Sequence, residues 1–300
     1  MSKKSLIDIH THVLPIDNER VLLDFLRICF KERYDNINQF HTQNTSFTEQ
    51  DLINQLRNGE IDKAVVMSTD HEGMRLNDFV FELAQKYDGL IIPSVSVDPT
   101  SDNAVKKLEY QFNRLCMNFD EYKPILKFYP HRWTTSPSDV NLDYYRVVRD
   151  FEGIIIAHTG AHHTLSTKDN SKTNPLFWET ALNQVQGLVV VASHCGTPSQ
   201  EYTSYEEEAI RMAEDHENFF IDFSGLQSIL PSGNYYELSR RAFDLAIQSI
   251  QRGTGLEKKI VGGSDYPICP DINRTRYEQI ALLNRIFDPY ENTEKLIARS

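Results

Sequence analysis

Short runs rich in Ile and Val alternate along this chain with amphipathic stretches of helical period. The first run, residues 6–12, alternates apolar and polar positions as a strand with two different faces does. A period of two sends Asp8, His10 and His12 to one face and Ile7, Ile9 and Thr11 to the other. A polar and aromatic stretch follows at residues 13–46, in which Leu22, Phe25, Leu26, Cys29 and Phe30 fall at helical spacing. Ser46-Phe47-Thr48-Glu49 has the form of a capping box, and Leu52, Ile53 and Leu56 then mark a helix ending near Gly59. Further strands are expected at residues 63–68, 90–97, 124–129, 153–158, 187–194, 219–224 and 259–264. Further helices are expected at 76–87, 104–116, 176–185, 206–214, 238–250 and 277–287.

Strands that alternate with helices pair in parallel through right-handed crossovers. Eight such units in 300 residues are what a closed (β/α)8 TIM barrel requires, and no stretch is left over for a second domain. Strands of nearly continuous Ile and Val fit a sheet covered on both faces. Residues 1–300 therefore read as one α/β barrel domain, with 13–46 as an insertion placed to act as a lid.

Composition narrows the partners. Hydrophobic content of 40% and charged content of 25% are those of an ordinary globular chain. A formal charge of -12, with no Lys or Arg run to offset it, argues against a nucleic-acid partner. The longest apolar runs, such as 187–192, have strand length and fall far short of a membrane span. Met1-Ser2-Lys3-Lys4 leads into Asp8 and His10, unlike the apolar centre of a signal peptide. Cys29, Cys116, Cys195 and Cys269 show no paired spacing, so a reducing cytoplasm is expected. A small-molecule substrate is the remaining expectation.

In a barrel of this kind, chemistry sits at the C-terminal ends of the strands. Those ends carry His10 and His12, Lys127, His158, His194 and Asp265. The last three close apolar runs: Ile154-Ile155-Ile156-Ala157-His158, Val189-Val190-Val191-Ala192-Ser193-His194 and Ile260-Val261-Gly262-Gly263-Ser264-Asp265. Four histidines and an aspartate on one rim read as a metal site rather than as core histidines. Lys127, Tyr129, Arg132 and His162 are the candidates for holding substrate, Arg132 by a bidentate pair with an anionic group. His131, His163 and His71 lie on the same rim's loops. Cys195 and Trp178 read as packing residues.

Asp8-Ile9-His10-Thr11-His12, His158-Thr159-Gly160, Ser193-His194-Cys195-Gly196 and Gly263-Ser264-Asp265-Tyr266-Pro267 resemble the amidohydrolase superfamily. Within it they resemble the branch of aminocarboxymuconate-semialdehyde decarboxylase and its hydrolase relatives. The resemblance runs from the first strand to Asn292-Thr293-Glu294-Lys295-Leu296. It implies one divalent ion, most often zinc, held by His10, His12, His158 and Asp265. It also implies that His194 orients water or polarises a substrate carbonyl, and that Asp265 takes the water's proton. In two-metal members the lysine matching Lys127 is carboxylated and bridges the ions; in the one-metal branch it stays an amine and contacts a substrate carboxylate. The branch resemblance favours the amine.

The implied activity is hydrolysis of a C–O or C–N bond in a small carboxylated lactone, ester or amide. Non-oxidative decarboxylation of a small aromatic or unsaturated acid is the alternative. A barrel reduced to a binding protein would have lost ligands, and this chain keeps every candidate. A phosphoesterase of another His-rich barrel family would need further His and Asp ligands in strands two to four, which are not evident. A homodimer would suit the family.

Overall fold

The computed structural model describes residues 5–13, 49–68, 74–160, 170–197, 204–225, 234–266 and 271–299. The proposed lid beyond Val13, the capping residues Ser46 to Thr48, His71, His162, His163 and Pro267 lie outside them.

Eight parallel strands follow one another in sequence order: β1 (Ile7–Thr11), β2 (Lys63–Val66), β3 (Ile91–Val95), β4 (Ile125–Phe128), β5 (Ile154–His158), β6 (Val189–Ser193), β7 (Phe219–Asp222) and β8 (Ile260–Val261). Between and after them lie α1 (Glu49–Asn58), α2 (Met74–Lys86), α3 (Ala104–Asn118), α4 (Pro130–Trp133), α5 (Leu142–Asp150), α6 (Glu179–Gln184), α7 (Glu206–Asp215), α8 (Asn234–Gln251), α9 (Ile272–Leu282) and α10 (Pro289–Ile297). The sheet closes on itself where the chain after β8 meets β1. Ile9 N donates to Gly262 O (2.9 Å), Asp265 N to His10 O (2.7 Å) and His12 N to Tyr266 O (2.6 Å). The architecture is the (β/α)8 barrel that the alternation of elements requires.

Each strand sorts its residues into two layers. Ile7, Ile9, Val65, Ile92, Ile125, Ile154, Ile156, Val191 and Val261 fill the lower barrel with Leu296 and Ile297 of α10. Lys123, just before β4, binds that end of α10: its N donates to Ile297 O (2.9 Å) and its Nζ to Leu296 O (3.0 Å). Alternate strand residues, among them Leu126, Phe128, Ile155, Ala157, Val190 and Ala192, pack outward under the helices. The hydrocarbon is thus concentrated at the lower end and beneath the helices, which leaves the upper interior for polar side chains.

Two differences from the expected elements have physical causes. In β1, Asp8 pairs with Ala64 but Thr11 with Val66, so three steps on one strand oppose two on the other. That bulge breaks the period of two. It separates Asp8 from the face of His10 and His12, although the sequence alternation put all three together. The second difference lies in the helices. α5 is capped by Asn141, whose side chain accepts from Asp143 N, and its Tyr144-Tyr145 pair obscured the helical period. α9 starts at the Asp271 cap, ahead of the expected 277, and Asn284 and Arg285 at φ 56° end it. α10 opens on Asp288-Pro289, a cap followed by proline at the first helical position.

Phe128 shows how the outer layer fixes β4, whose preceding residue is Lys127. Its ring meets Trp133 edge-on at 4.9 Å and Trp178 at 5.2 Å, and it is fully buried. Phe128→Ala should lower unfolding free energy by about 3–5 kcal/mol. Denaturant titration measures this, and a loss below about 1 kcal/mol would show that the aromatic cluster does not hold the strand.

Candidate metal centre and active site

The polar residues of the upper barrel come from strand ends that the seam brings together. His10 and His12 leave β1, and Asp265 follows β8. His10 Nε2 lies 3.2 Å from His12 Nε2 and 3.6 Å from Asp265 Oδ1, while His12 Nε2 lies 3.3 Å from that same oxygen. Ligands bound to one tetrahedral zinc at roughly 2.0–2.1 Å stand about 3.3–3.4 Å apart. The triangle therefore has the dimensions of one face of such a site. The donor chemistry also fits, since two imidazoles and a carboxylate suit a divalent ion of intermediate softness.

Burial prepares these groups for that role. Desolvation, followed by the nearby Lys127 ammonium, pushes His10 down to about 3, and desolvation lowers His12 as well. Both imidazoles are thus neutral, which is the ligating form. Burial, the largest single influence, would raise Asp265, but its bond with His12 and the electrostatic pull of the surrounding histidines His194, His10 and His12 together outweigh it and hold the carboxylate below its ordinary range.

The backbone bends to place these side chains. His194, Cys195 and Asp265 all have left-handed φ, at 64°, 47° and 63°. Non-glycine residues there cost of order 1–3 kcal/mol each and persist only where their surroundings hold them. Two glycines make the close approaches possible. A Cβ on Gly263 would lie 2.9 Å from His10 Cβ, and one on Gly225, at φ 75°, would lie 2.8 Å from Asp265 Oδ2.

The other candidates surround this triangle. Lys127 Nζ is 3.1 Å from His10 Nε2 and 3.4 Å from Ser193 Oγ; burial brings its pKa down to about 8. The His158 ring stands 4.7 Å from that of His194 and 4.4 Å from that of His131. Its ligand atoms do not join the His10, His12 and Asp265 atoms that lie within 4.8 Å of one another. Tyr129 donates its hydroxyl to Ser68 O (3.1 Å), and its ring faces two cations, Lys127 Nζ at 5.3 Å and the Arg132 guanidinium at 4.8 Å. His162 lies outside the described residues. Cys195 is a buried free thiol whose pKa burial pushes well up, in keeping with packing.

Two buried residues, Asp222 and Ser224, escaped the sequence reading, and Asp8 was named there without a role of its own. Asp222 ends β7; its Oδ1 accepts from the main-chain N of His194 (3.0 Å) and of Ser224 (2.9 Å). Ser224 Oγ sits 2.8 Å from His10 Nδ1 and 3.1 Å from His194 Nδ1. Asp8 Oδ1 accepts from His10 N and Ser264 N, both at 3.0 Å, across the seam. Burial drives Asp8 up to about 7 despite those bonds. The signal for Asp222 was available: Phe219-Phe220-Ile221-Asp222 is an apolar run closed by a polar residue, as at β5 and β6.

The chain belongs to the amidohydrolase family: the family model described as Amidohydrolase (Amidohydro_2) matches residues 7–298. No curated protein matches it. Among solved structures it is similar to a probable 2-pyrone-4,6-dicarboxylic acid hydrolase from Acinetobacter baumannii with citric acid bound. That match has 16% identity over 97% of this chain and 98% of the other, with a TM-score of 0.59. It is also similar to 5-carboxyvanillate decarboxylase from Novosphingobium aromaticivorans complexed with manganese, at 14% identity, 99% of both chains and a TM-score of 0.58. A third is an amidohydrolase from Burkholderia multivorans with bound zinc, at 11% identity, 96% of this chain and 95% of the other, and a TM-score of 0.56. At these identities the likeness is one of fold. No described helix is long and apolar enough to cross a membrane.

The depressed pKa of His10 gives the metal-free protein an acid sensitivity. The unfolded chain takes a proton on this imidazole as pH falls through 6.5, whereas the folded chain refuses it until about 3. Acid therefore favours unfolding across that window, and the contribution is restored above pH 6.5. Metal-free protein should lose stability from pH 6.5 downward, and His10→Gln should lose less over the same range. Denaturant melts of both proteins above and below pH 6.5 measure the difference; equal losses would contradict a neutral, buried His10.

Proposed function

We propose that this amidohydrolase is a metal-dependent hydrolase acting on a C–O or C–N bond of a small carboxylated compound, with one zinc ion. The observation that carries this reading is the buried triangle of His10 Nε2, His12 Nε2 and Asp265 Oδ1, with sides of 3.2–3.6 Å. His158, on the adjoining rim, is the fourth ligand in this reading. A bound divalent ion would supply Lewis acidity, which brings the pKa of water toward neutrality and polarises a carbonyl.

The protein's own groups do the rest. Asp265, held ionised, accepts a proton from the attacking water through a carboxylate oxygen and returns it to the leaving group. His194, whose ring stands 4.9 Å from that of His10, accepts a hydrogen bond from the attacking water and aims it at the carbonyl. Lys127 and Arg132 flank the Tyr129 ring, and this pair of cations attracts the substrate's carboxylate. The citric acid in the Acinetobacter relative is a small polycarboxylate, which supports a substrate of that class. Lys127 acts as a free amine in this reading.

Decarboxylation is the second reading. The buried Lys127 ammonium stands 3.1 Å from His10 Nε2, where it would also hold a departing carboxylate next to the ion. The 5-carboxyvanillate decarboxylase among the structural relatives supports keeping it.

Protein purified without chelators should contain one equivalent of metal by elemental analysis, and His12→Ala should contain far less. Two equivalents would point to a carboxylated Lys127 instead. On a panel of small lactones, esters, amides and aromatic acids, acid should be released without CO2; CO2 release alone would favour decarboxylation. Asp265→Asn should lower kcat by roughly 10²–10⁴-fold, and an unchanged kcat would remove Asp265 from the proton transfer.

A further inference from the structure

Three hydrogen-bonding groups at the end of β7 face the back edges of two histidines. Ser224 Oγ lies 2.8 Å from His10 Nδ1 and 3.1 Å from His194 Nδ1, and it also bonds Asp222 Oδ1. Asp222 Oδ2 lies 3.4 Å from His10 Nδ1. Ser224 O lies 2.8 Å from His194 Nδ1. His10, His194 and Asp222 thus offer ligand atoms close together, but Ser224 Oγ sits among them. The cluster is a hydrogen-bond network around a hydroxyl.

Counting its protons fixes the state of both rings. A carbonyl oxygen only accepts, so His194 Nδ1, facing Ser224 O, must carry a hydrogen. An ionised carboxylate also only accepts, and Asp222 Oδ1 already receives the main-chain N–H of His194 and of Ser224. The single hydroxyl proton of Ser224 therefore points at Asp222, leaving oxygen lone pairs toward His10. His10 Nδ1 then faces acceptors alone, Ser224 Oγ and Asp222 Oδ2, and it too must carry a hydrogen. In a neutral imidazole this leaves Nε2 bare on both rings. For His10 that is the atom 3.2 Å from His12 Nε2 in the metal triangle.

We infer that Asp222 and Ser224 are positioning residues that lock both rings in the Nδ1–H tautomer, His10 through the Asp222 carboxylate and the Ser224 hydroxyl and His194 through the Ser224 carbonyl, so that one strand end serves a metal ligand and the catalytic imidazole. The inference rests on the proposed function for the use of those two rings, but the tautomers themselves do not depend on it. Groups behind a metal-bound histidine commonly change metal affinity by about 10–100-fold. Here a single strand end would do so while also aiming the second imidazole.

The experiment uses metal-free, 15N-histidine-labelled full-length protein and long-range proton–nitrogen spectra, with signals assigned by His10→Gln and His194→Gln. Both rings should show a protonated Nδ1 and a bare Nε2. Asp222→Asn presents an amide donor to His10 Nδ1, so His10 should switch to the Nε2–H form. Its zinc affinity, measured against a chromophoric chelator, should then fall about 10–100-fold. Ser224→Ala keeps the carbonyl at position 224, so the His194 tautomer should persist while zinc affinity falls less than in Asp222→Asn. A wild-type spectrum with hydrogen on Nε2 of either ring overturns the inference, whether or not the Asn variant folds. So does an Asp222→Asn protein whose His10 tautomer and zinc affinity are both unchanged. If wild type shows the stated tautomers but binds no zinc, the proposed function fails and the tautomer lock stands.

Discussion

Closure of the barrel between the segment after β8 and β1 is the constraint from which the site follows. The bond from Asp265 N to His10 O (2.7 Å) ties together two residues of the candidate metal triangle through their main chains. The bond from His12 N to Tyr266 O (2.6 Å) does the same for the third, through the neighbour of Asp265. The candidate ligands are therefore set by the ladder that closes the sheet, and not by loop conformation. Opening the seam would expose buried main-chain donors and acceptors, each of which needs a partner. Fold closure and ligand geometry are in this sense one interaction.

That arrangement accepts unfavourable local features. Asp8 is a fully buried carboxyl at the seam, raised to about 7, and it remains because His10 N and Ser264 N both donate to it. The left-handed backbone at His194, Cys195 and Asp265 is held from several sides. Thr197 N and its hydroxyl both bond His194 O, at 3.0 and 2.6 Å, and Tyr205 N bonds Gly196 O at 2.9 Å. The packed lower barrel and the aromatic cluster around Phe128 supply the rigidity that such strained residues require.

Much of the fold was legible because its period was regular. Apolar runs closed by histidine at β5 and β6, and by a Gly-Gly-Ser-Asp turn after β8, marked both the strands and the rim. What was hidden is local or electrostatic. A bulge cannot be read from alternation, so Asp8 was grouped with His10 and His12 on one face. Asp222 closes β7 and Ser224 follows it, and their importance rests on distances to His10 of β1 and to His194 after β6 that no single segment contains. Helices α5 and α10 were missed where aromatic pairs or an Asp-Pro start replaced the expected apolar stripe.

X-ray absorption at the metal edge of zinc-loaded protein tests the central claim most directly, because it reports the identity and distance of the bound atoms. The expected spectrum has nitrogen and oxygen neighbours at about 2.0–2.1 Å, with outer-shell scattering from imidazole rings. A sulfur neighbour at about 2.3 Å, or a shell without imidazole scattering, would mean that the ion is held elsewhere than at His10, His12 and Asp265.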